Sequence, residues 1–162
     1  MTLSKYLYGV FFTTIIFVLE LGLSTFPNIN LTFVLFLILF QQYKIGVSIQ
    51  YVGVYVMLQG VWWGYGLYLI PMTVAWIGYI FVTKSIKRVD NVLQSFIIGG
   101  YGIVYALSFL PLAVVYGIPI GAYLLADIPF TMILIINNFL TVLWLKPLIT
   151  HRIYSVTHEN RL

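Results

Sequence analysis

The chain has 162 residues, 62% hydrophobic and 7% charged, with eight Lys or Arg against four Asp or Glu, a net charge of +4 and a mean hydropathy of +1.03. Soluble domains carry about 25% charged residues, so this chain cannot cover itself with polar surface and is read as an all-α integral membrane protein. The absence of cysteine excludes disulfides, thiolate catalysis and cysteine-bound metals. The basic residues stand singly at the ends of apolar runs, as membrane topology requires, which argues against a nucleic-acid partner.

The first predicted span runs from about Lys5 to Ser24. It has no A-x-A-like exit and is long enough to cross a bilayer, so it reads as a span rather than a cleaved signal. A turn at Thr25-Phe26-Pro27-Asn28-Ile29-Asn30 leads to a short apolar run, Leu31 to Phe40, ending at Gln41-Gln42-Tyr43-Lys44. The third span covers Ile45 to about Val61. One continuous helix through Leu31–Val61 would put Gln41, Gln42 and Lys44 in hydrocarbon at several kcal/mol, so two helices are expected. The short second helix must then borrow flanking residues or lie partly buried in protein. Gly60, Gly64 and Gly66 interrupt the pattern around Trp62, Trp63 and Tyr65. A fourth span covers Leu67 to Val82, and the most polar stretch, Thr83 to Asn91, follows. A fifth span runs from Val92 to Leu110. Residues Pro111 to Asp127 read as a structured loop or partial helix, and the sixth span as Ile128 to about Ile149. Residues 1–149 thus form one six-helix transmembrane domain, and 150–162 a polar cytoplasmic tail.

Charge placement tests the count. With six spans and both termini cytoplasmic, Lys5, Lys44, Lys84, Lys87, Arg88, Lys146, Arg152 and Arg161 all fall on the inner side, and the outer connections carry no basic residue.

Under this topology Glu20, Gln59 and Asp127 share the outer half with the cluster Gly60-Val61-Trp62-Trp63-Gly64-Tyr65-Gly66. Aromatic walls, a few polar groups and glycines that let backbone approach a ligand are the ingredients of a concave site. Two other readings stand beside that one. Trp and Tyr, including Tyr68 and Trp144, collect at membrane interfaces whatever the function, and Glu20 and Asp127 are near enough to helix ends to be ordinary interfacial carboxylates. Gln50 and Gln94 read as interhelical hydrogen-bond partners. Asn137 and Asn138, near the middle of the sixth span, need partners, either helix–helix or ligand. Small-residue faces at Gly9 and Thr13, at Gly46 and Gly53, and at Gly99, Gly100, Gly102 and Ala106 suit close helix packing; docking of a second membrane protein is the functional alternative. There is no phosphate loop, His151 and His158 lie in the tail, and no paired acidic motif for metal-assisted lipid chemistry is present, so neither an ATPase nor another enzyme is supported and no metal site is expected.

The stretch Ala126-Asp127-Ile128-Pro129-Phe130, followed by Ile136-Asn137-Asn138-Phe139 and closed by Leu145-Lys146-Pro147-Leu148, resembles the last helix of the substrate-binding S components of energy-coupling factor (ECF) vitamin transporters. There a G-I-P-F-D segment leads to a G-N-F step and a K-P-L exit. Tyr101-Gly102-Ile103-Val104-Tyr105-Ala106 resembles their fifth helix, and the likeness covers Gly99 to Leu148. It implies a subunit of the bacterial plasma membrane that captures a water-soluble vitamin or precursor at the outer face. Uptake would need a membrane T component and two cytoplasmic ATPases, which alone would use ATP; the chain itself would hold no cofactor. It also implies ligand contacts in the loops after the first, third and fifth helices: Asn28 and Asn30, then Trp62 and Trp63, then Tyr116 and Asp127. Gly9 and Thr13 would serve the docking that an alanine pair serves in many members. The chain departs from the pattern at Asp127, where the family often has glycine, and at Thr131, where it often has aspartate. A small facilitator or secondary transporter, with Glu20 or Asp127 coupling protons, and a structural subunit of a membrane complex remain the competing readings.

Overall fold

The computed structural model describes residues 3–23 and 31–151. Among them the regular elements are all helices: α1 Leu3–Leu23, α2 Thr32–Gln42, α3 Ile45–Trp63, α4 Leu69–Ser85, α5 Asn91–Ser108, α6 Leu110–Val115 and α7 Ile120–Leu140. α7 continues to His151 through a π-turn at Thr141–Leu145. Four stretches are long and apolar enough to cross a membrane, Tyr6–Leu23, Ile45–Trp63, Asn91–Val115 and Ile120–His151; Thr32–Gln42 and Leu69–Ser85 are shorter apolar helices.

The short second helix is the axis of the fold. At 1.5 Å per residue α2 is about 16 Å long, roughly half the hydrocarbon thickness of a bilayer. Every residue from Thr32 to Phe40 is buried, with α1, α3, α4 and the π-turn of α7 packed around it. The chain is extended at both Tyr43 and Lys44, so α2 and α3 are separate helices. The Lys84 ammonium donates to the Phe40 and Tyr43 carbonyls. It thereby puts a positive charge on the helix end where unpaired carbonyls and the negative pole of the dipole lie.

Around this axis the aromatic side chains interlock. Phe33 and Phe36 each lie 4.9 Å, centroid to centroid, from Trp76 of α4. Phe36 meets Tyr55 of α3 edge-on at 5.1 Å, and Phe33 meets Tyr105 of α5 edge-on at 5.4 Å. Edge-to-face geometry of this kind adds to the burial of each ring.

Cross-helix contacts give the helix directions. Gly9 faces Tyr51, and Glu20 faces Tyr55 and Gln59, so α1 and α3 are parallel. Tyr79 bonds the Phe33 carbonyl and Lys84 that of Phe40, so α2 and α4 are parallel. α5 is antiparallel to α7: Phe96 meets Phe139, while Tyr123 donates to the Ala106 carbonyl. The outcome is two chemically distinct ends. One holds Glu20, Thr32, Gln59 and Asp127. The other holds Lys44, Lys84, Lys87, Arg88 and Lys146, with Asp90 capping α5 through the Leu93 N–H at 3.0 Å. There Gln94 donates to the Ile86 and Val89 carbonyls and accepts from Gln41 and Lys146, tying α2, α5 and α7 together.

Two expectations need correction. The last helix begins at Ile120, not Ile128; of the two readings of residues 111–127, the partial helix is the one the structure has. Pro111 fits because it stands in the first turn of α6, where a missing N–H has no helical partner. Gly117, at φ +69°, makes the turn, and Pro129 is carried inside α7. The second correction concerns Gly9 and Thr13, which face inward. A Cβ at Gly9 would lie 2.0 Å from the Tyr51 ring, and fully buried Thr13 donates to the Gly9 carbonyl at 2.8 Å. They serve the α1–α3 contact and leave no surface there for a partner. Gly46 and Gly53 are exposed, with nothing within 4 Å of an added Cβ. Gly99 and Gly102 lie against Ile135 and Leu134, which explains how closely α5 and α7 approach.

Candidate functional site

The end of the bundle without lysine contains two adjoining features. The first is a hydrogen-bonded network around Glu20. α1 delivers the carboxylate one turn before its end, and α3 presents Tyr55 and Gln59 on one face, four residues apart. Tyr55 donates to Glu20 Oε2, Gln59 Nε2 donates to the same oxygen at 3.1 Å and to Tyr55 Oη at 2.9 Å, and the Thr32 side chain completes the shell. A carboxylate this far from water needs such donors, since burial without them costs several kcal/mol. Tyr68 pins the adjacent end of α3, donating to the Gly64 carbonyl at 2.8 Å and the Gln59 carbonyl at 3.4 Å.

The second feature lies between α5, α6 and α7. A groove of about 380 Å³ is walled by Tyr105, Phe109, Tyr116, Tyr123 and Phe130 and carries Asp127. It reaches Ile118 in the turn at the helix tips. A second groove, of about 240 Å³, shares Asp127 and Ala106 and is otherwise apolar apart from Thr131. Asp127 thus stands on the ridge between two apolar clefts. It accepts one hydrogen bond, from Thr131 Oγ1 at 2.6 Å. No described Lys, Arg or His shares this end of the bundle. Pro129 lacks the N–H that would pair with the Leu125 carbonyl, which loosens the backbone of this turn.

Tyr105 connects the two features. It walls the larger groove, and its ring meets that of Phe33, the residue after Thr32, at 5.4 Å. Glu20 and Gln59 are therefore in direct contact, and Asp127 and Tyr116 share the neighbouring groove. Trp62, Trp63 and Tyr65 stand apart, each more than 60% exposed, with the Tyr65 ring folded over Gly60. Asn28 and Asn30 lie outside the described residues. Asn137 and Asn138 are level with Phe96 and Gly99 of α5, about 15 Å along the helix from Asp127. Asn138 is fully buried and neither amide atom has a hydrogen-bond partner among the described residues. These two asparagines do not belong to either feature.

Sequence reading missed Tyr55, Thr32 and Tyr105. The spacing of Tyr55 and Gln59, one helical turn apart, was the available signal. It was masked by the abundance of tyrosine in every span. Among the described residues no group of three His, Asp or Glu could hold a metal ion. The arrangement brings together aromatic walls, one carboxylate with a single internal donor, and a second carboxylate held by several donors. No protein-family model matches the chain, and no curated protein or solved structure matches it.

Proposed function

We propose that the chain is the substrate-binding subunit of an ECF-type importer: a six-span protein of the bacterial plasma membrane, with cytoplasmic termini, that captures a water-soluble vitamin or precursor from outside. The observation that carries this reading is the separation of the two ends of the bundle. All described Lys and Arg residues with described side chains gather at one end, which the positive-inside rule makes cytoplasmic. The opposite end, facing outward, holds the Glu20 network and the Asp127 groove. Such a groove is at the small end of ligand-site volumes and has the expected mix of apolar walls and few polar groups. The sequence resemblance over Gly99–Leu148 covers the second half of α5 together with α6 and α7, the segments that build the groove.

In this reading the subunit is no enzyme and has no ATP site. Energy comes from two cytoplasmic ATPases acting through a membrane T component. The buried α2 gives the bundle a stiff centre, suited to moving as one body when docked. Because Gly9 and Thr13 are internal, the docking face must lie elsewhere on the exposed helices.

The test is reconstitution. The purified chain in liposomes should bind ligand without accumulating it, and uptake should appear only with the T component, both ATPases and ATP. Native mass spectrometry of the purified chain supplies the ligand. Uptake by the chain alone would replace this reading with a facilitator or proton-coupled transporter, for which Glu20 and Asp127 are the available carriers. Absence of any small-molecule ligand would favour a structural subunit.

A further inference from the structure

We propose that the Asp127 groove selects an organic cation: a compact aromatic or heteroaromatic body bearing a quaternary or protonated nitrogen. This rests on reading the lysine-free end as the substrate site, and adds the charge of what enters it.

Three observations point this way. First, the two carboxylates at this end differ in availability. Glu20 is hydrogen-bonded by Tyr55, Gln59 and Thr32, two of them at Oε2. Asp127 receives one internal hydrogen bond, from Thr131, and the residue lines both grooves. Second, no described cation is near enough to neutralise it. The described Lys and Arg side chains are at the other end of the bundle, where Lys84 and Lys146 are engaged with α2 carbonyls and Gln94. Third, five of the remaining wall residues are aromatic, Tyr105, Phe109, Tyr116, Tyr123 and Phe130, and the rest are aliphatic. A carboxylate among π-faces attracts a cation twice, by charge and by the ring quadrupoles, and more strongly as water is excluded. The same surroundings repel an anion, and they give a neutral ligand hydrogen bonds and apolar contact without the charge attraction. The groove also reaches Ile118, in the turn between α6 and α7.

The experiment uses the full chain in detergent micelles at low ionic strength. Three water-soluble aromatic probes are compared by equilibrium dialysis against empty micelles: phenyltrimethylammonium, benzyl alcohol and benzoate. The cation should bind roughly tenfold or more tighter than either of the others. Asp127→Asn should abolish that preference. Asp127→Glu should keep it, and so should Thr131→Val, which removes the internal bond but not the charge. An unchanged thermal transition in the variants separates lost recognition from lost folding. Equal binding of the three probes, a preference for benzoate, a cation preference that survives in Asp127→Asn, or no binding of any probe to the folded chain would each overturn the assignment. A neutral or anionic vitamin found bound to the purified chain would overturn it too, while leaving the capture reading intact. Uptake that needs no ATPase would instead overturn the importer reading and leave the charge preference standing.

Discussion

α2 and α7 draw on the same apolar residues, yet their surroundings are opposite. α2 is enclosed on every side from Thr32 to Phe40, whereas α7 buries only Leu134 and Asn138 along its 21 residues. In water such a difference would follow from hydrophobicity. In a bilayer it cannot, because lipid tails are as apolar as leucine and give no reason to hide one apolar helix rather than another. Length and end chemistry decide instead. An 11-residue helix leaves its terminal carbonyls and N–H groups in hydrocarbon unless protein supplies partners. Lys84 supplies them at the C-terminal end, and Tyr79 ties the first turn to α4 by donating to the Phe33 carbonyl at 2.7 Å. α7 continues to His151 and is long enough to bring both its ends to water, so it can remain at the periphery.

The comparison is broken most severely by opening the packing around α2. Phe36 is fully buried and its ring meets Phe40, Tyr55 and Trp76. Phe36→Ala should cost about 3–5 kcal/mol, because neighbours fixed on three helices cannot close over the void. Reversible unfolding in mixed micelles, titrated with denaturing detergent, measures it. A loss under about 1 kcal/mol would mean that α2 is not the rigid centre described above.

Next in size is Gly9→Leu. Its side chain would have to enter the Tyr51 ring, so α1 and α3 must separate or the tyrosine must leave its site. Overpacking of this kind costs about 1–3 kcal/mol. The same titration checks it, and a variant as stable as the parent would return Gly9 to the surface as a docking residue.

These residues also show what was legible in advance. The break between α2 and α3 followed from Gln41, Gln42 and Lys44, because polar groups in hydrocarbon are costly whatever the fold. Gln94 as an interhelical partner followed likewise, and it bonds both Gln41 and Lys146. The start of α7 was not legible. Pro119, Gly121 and Pro129 carry loop signals that apply in water, whereas in an apolar setting helix is the default for any backbone that must satisfy itself. The inward turn of Gly9 was equally hidden, since a small-residue face has the same pattern whether it meets its own chain or another. At the candidate site, Glu20, Gln59 and Asp127 were visible as polar residues in apolar runs. Tyr55, Thr32 and Tyr105 were not, because tyrosine and threonine are common in spans and only the fold brings these to a carboxylate.

An effect of similar size is expected at the lysine end. Lys84→Met keeps the length of the side chain and removes the charge, leaving the Phe40 and Tyr43 carbonyls without their donor. The loss should be about 1–3 kcal/mol, the range for an orphaned buried acceptor that had been bonded to a charge. Lys84→Arg should recover much of it. Equal loss in both variants would mean that shape at this position, rather than a donor on the end of α2, is what matters.

The smallest effect belongs on α7. Ile136 is 53% exposed, lines neither groove and lies on the side of α7 turned away from the bundle. Ile136→Ala removes about as much apolar side chain as many core substitutions do. In lipid, however, the exposed isoleucine exchanges contacts with acyl chains for the same contacts with acyl chains, and no void is left because lipid flows into the space. The change should stay within about 0.5 kcal/mol. It is measured by the same titration as Phe36→Ala, so the ratio of the two losses is free of differences in method. A large loss at Ile136 would mean that this face is covered by protein, and that α7 owes its peripheral place to a partner that the isolated chain lacks.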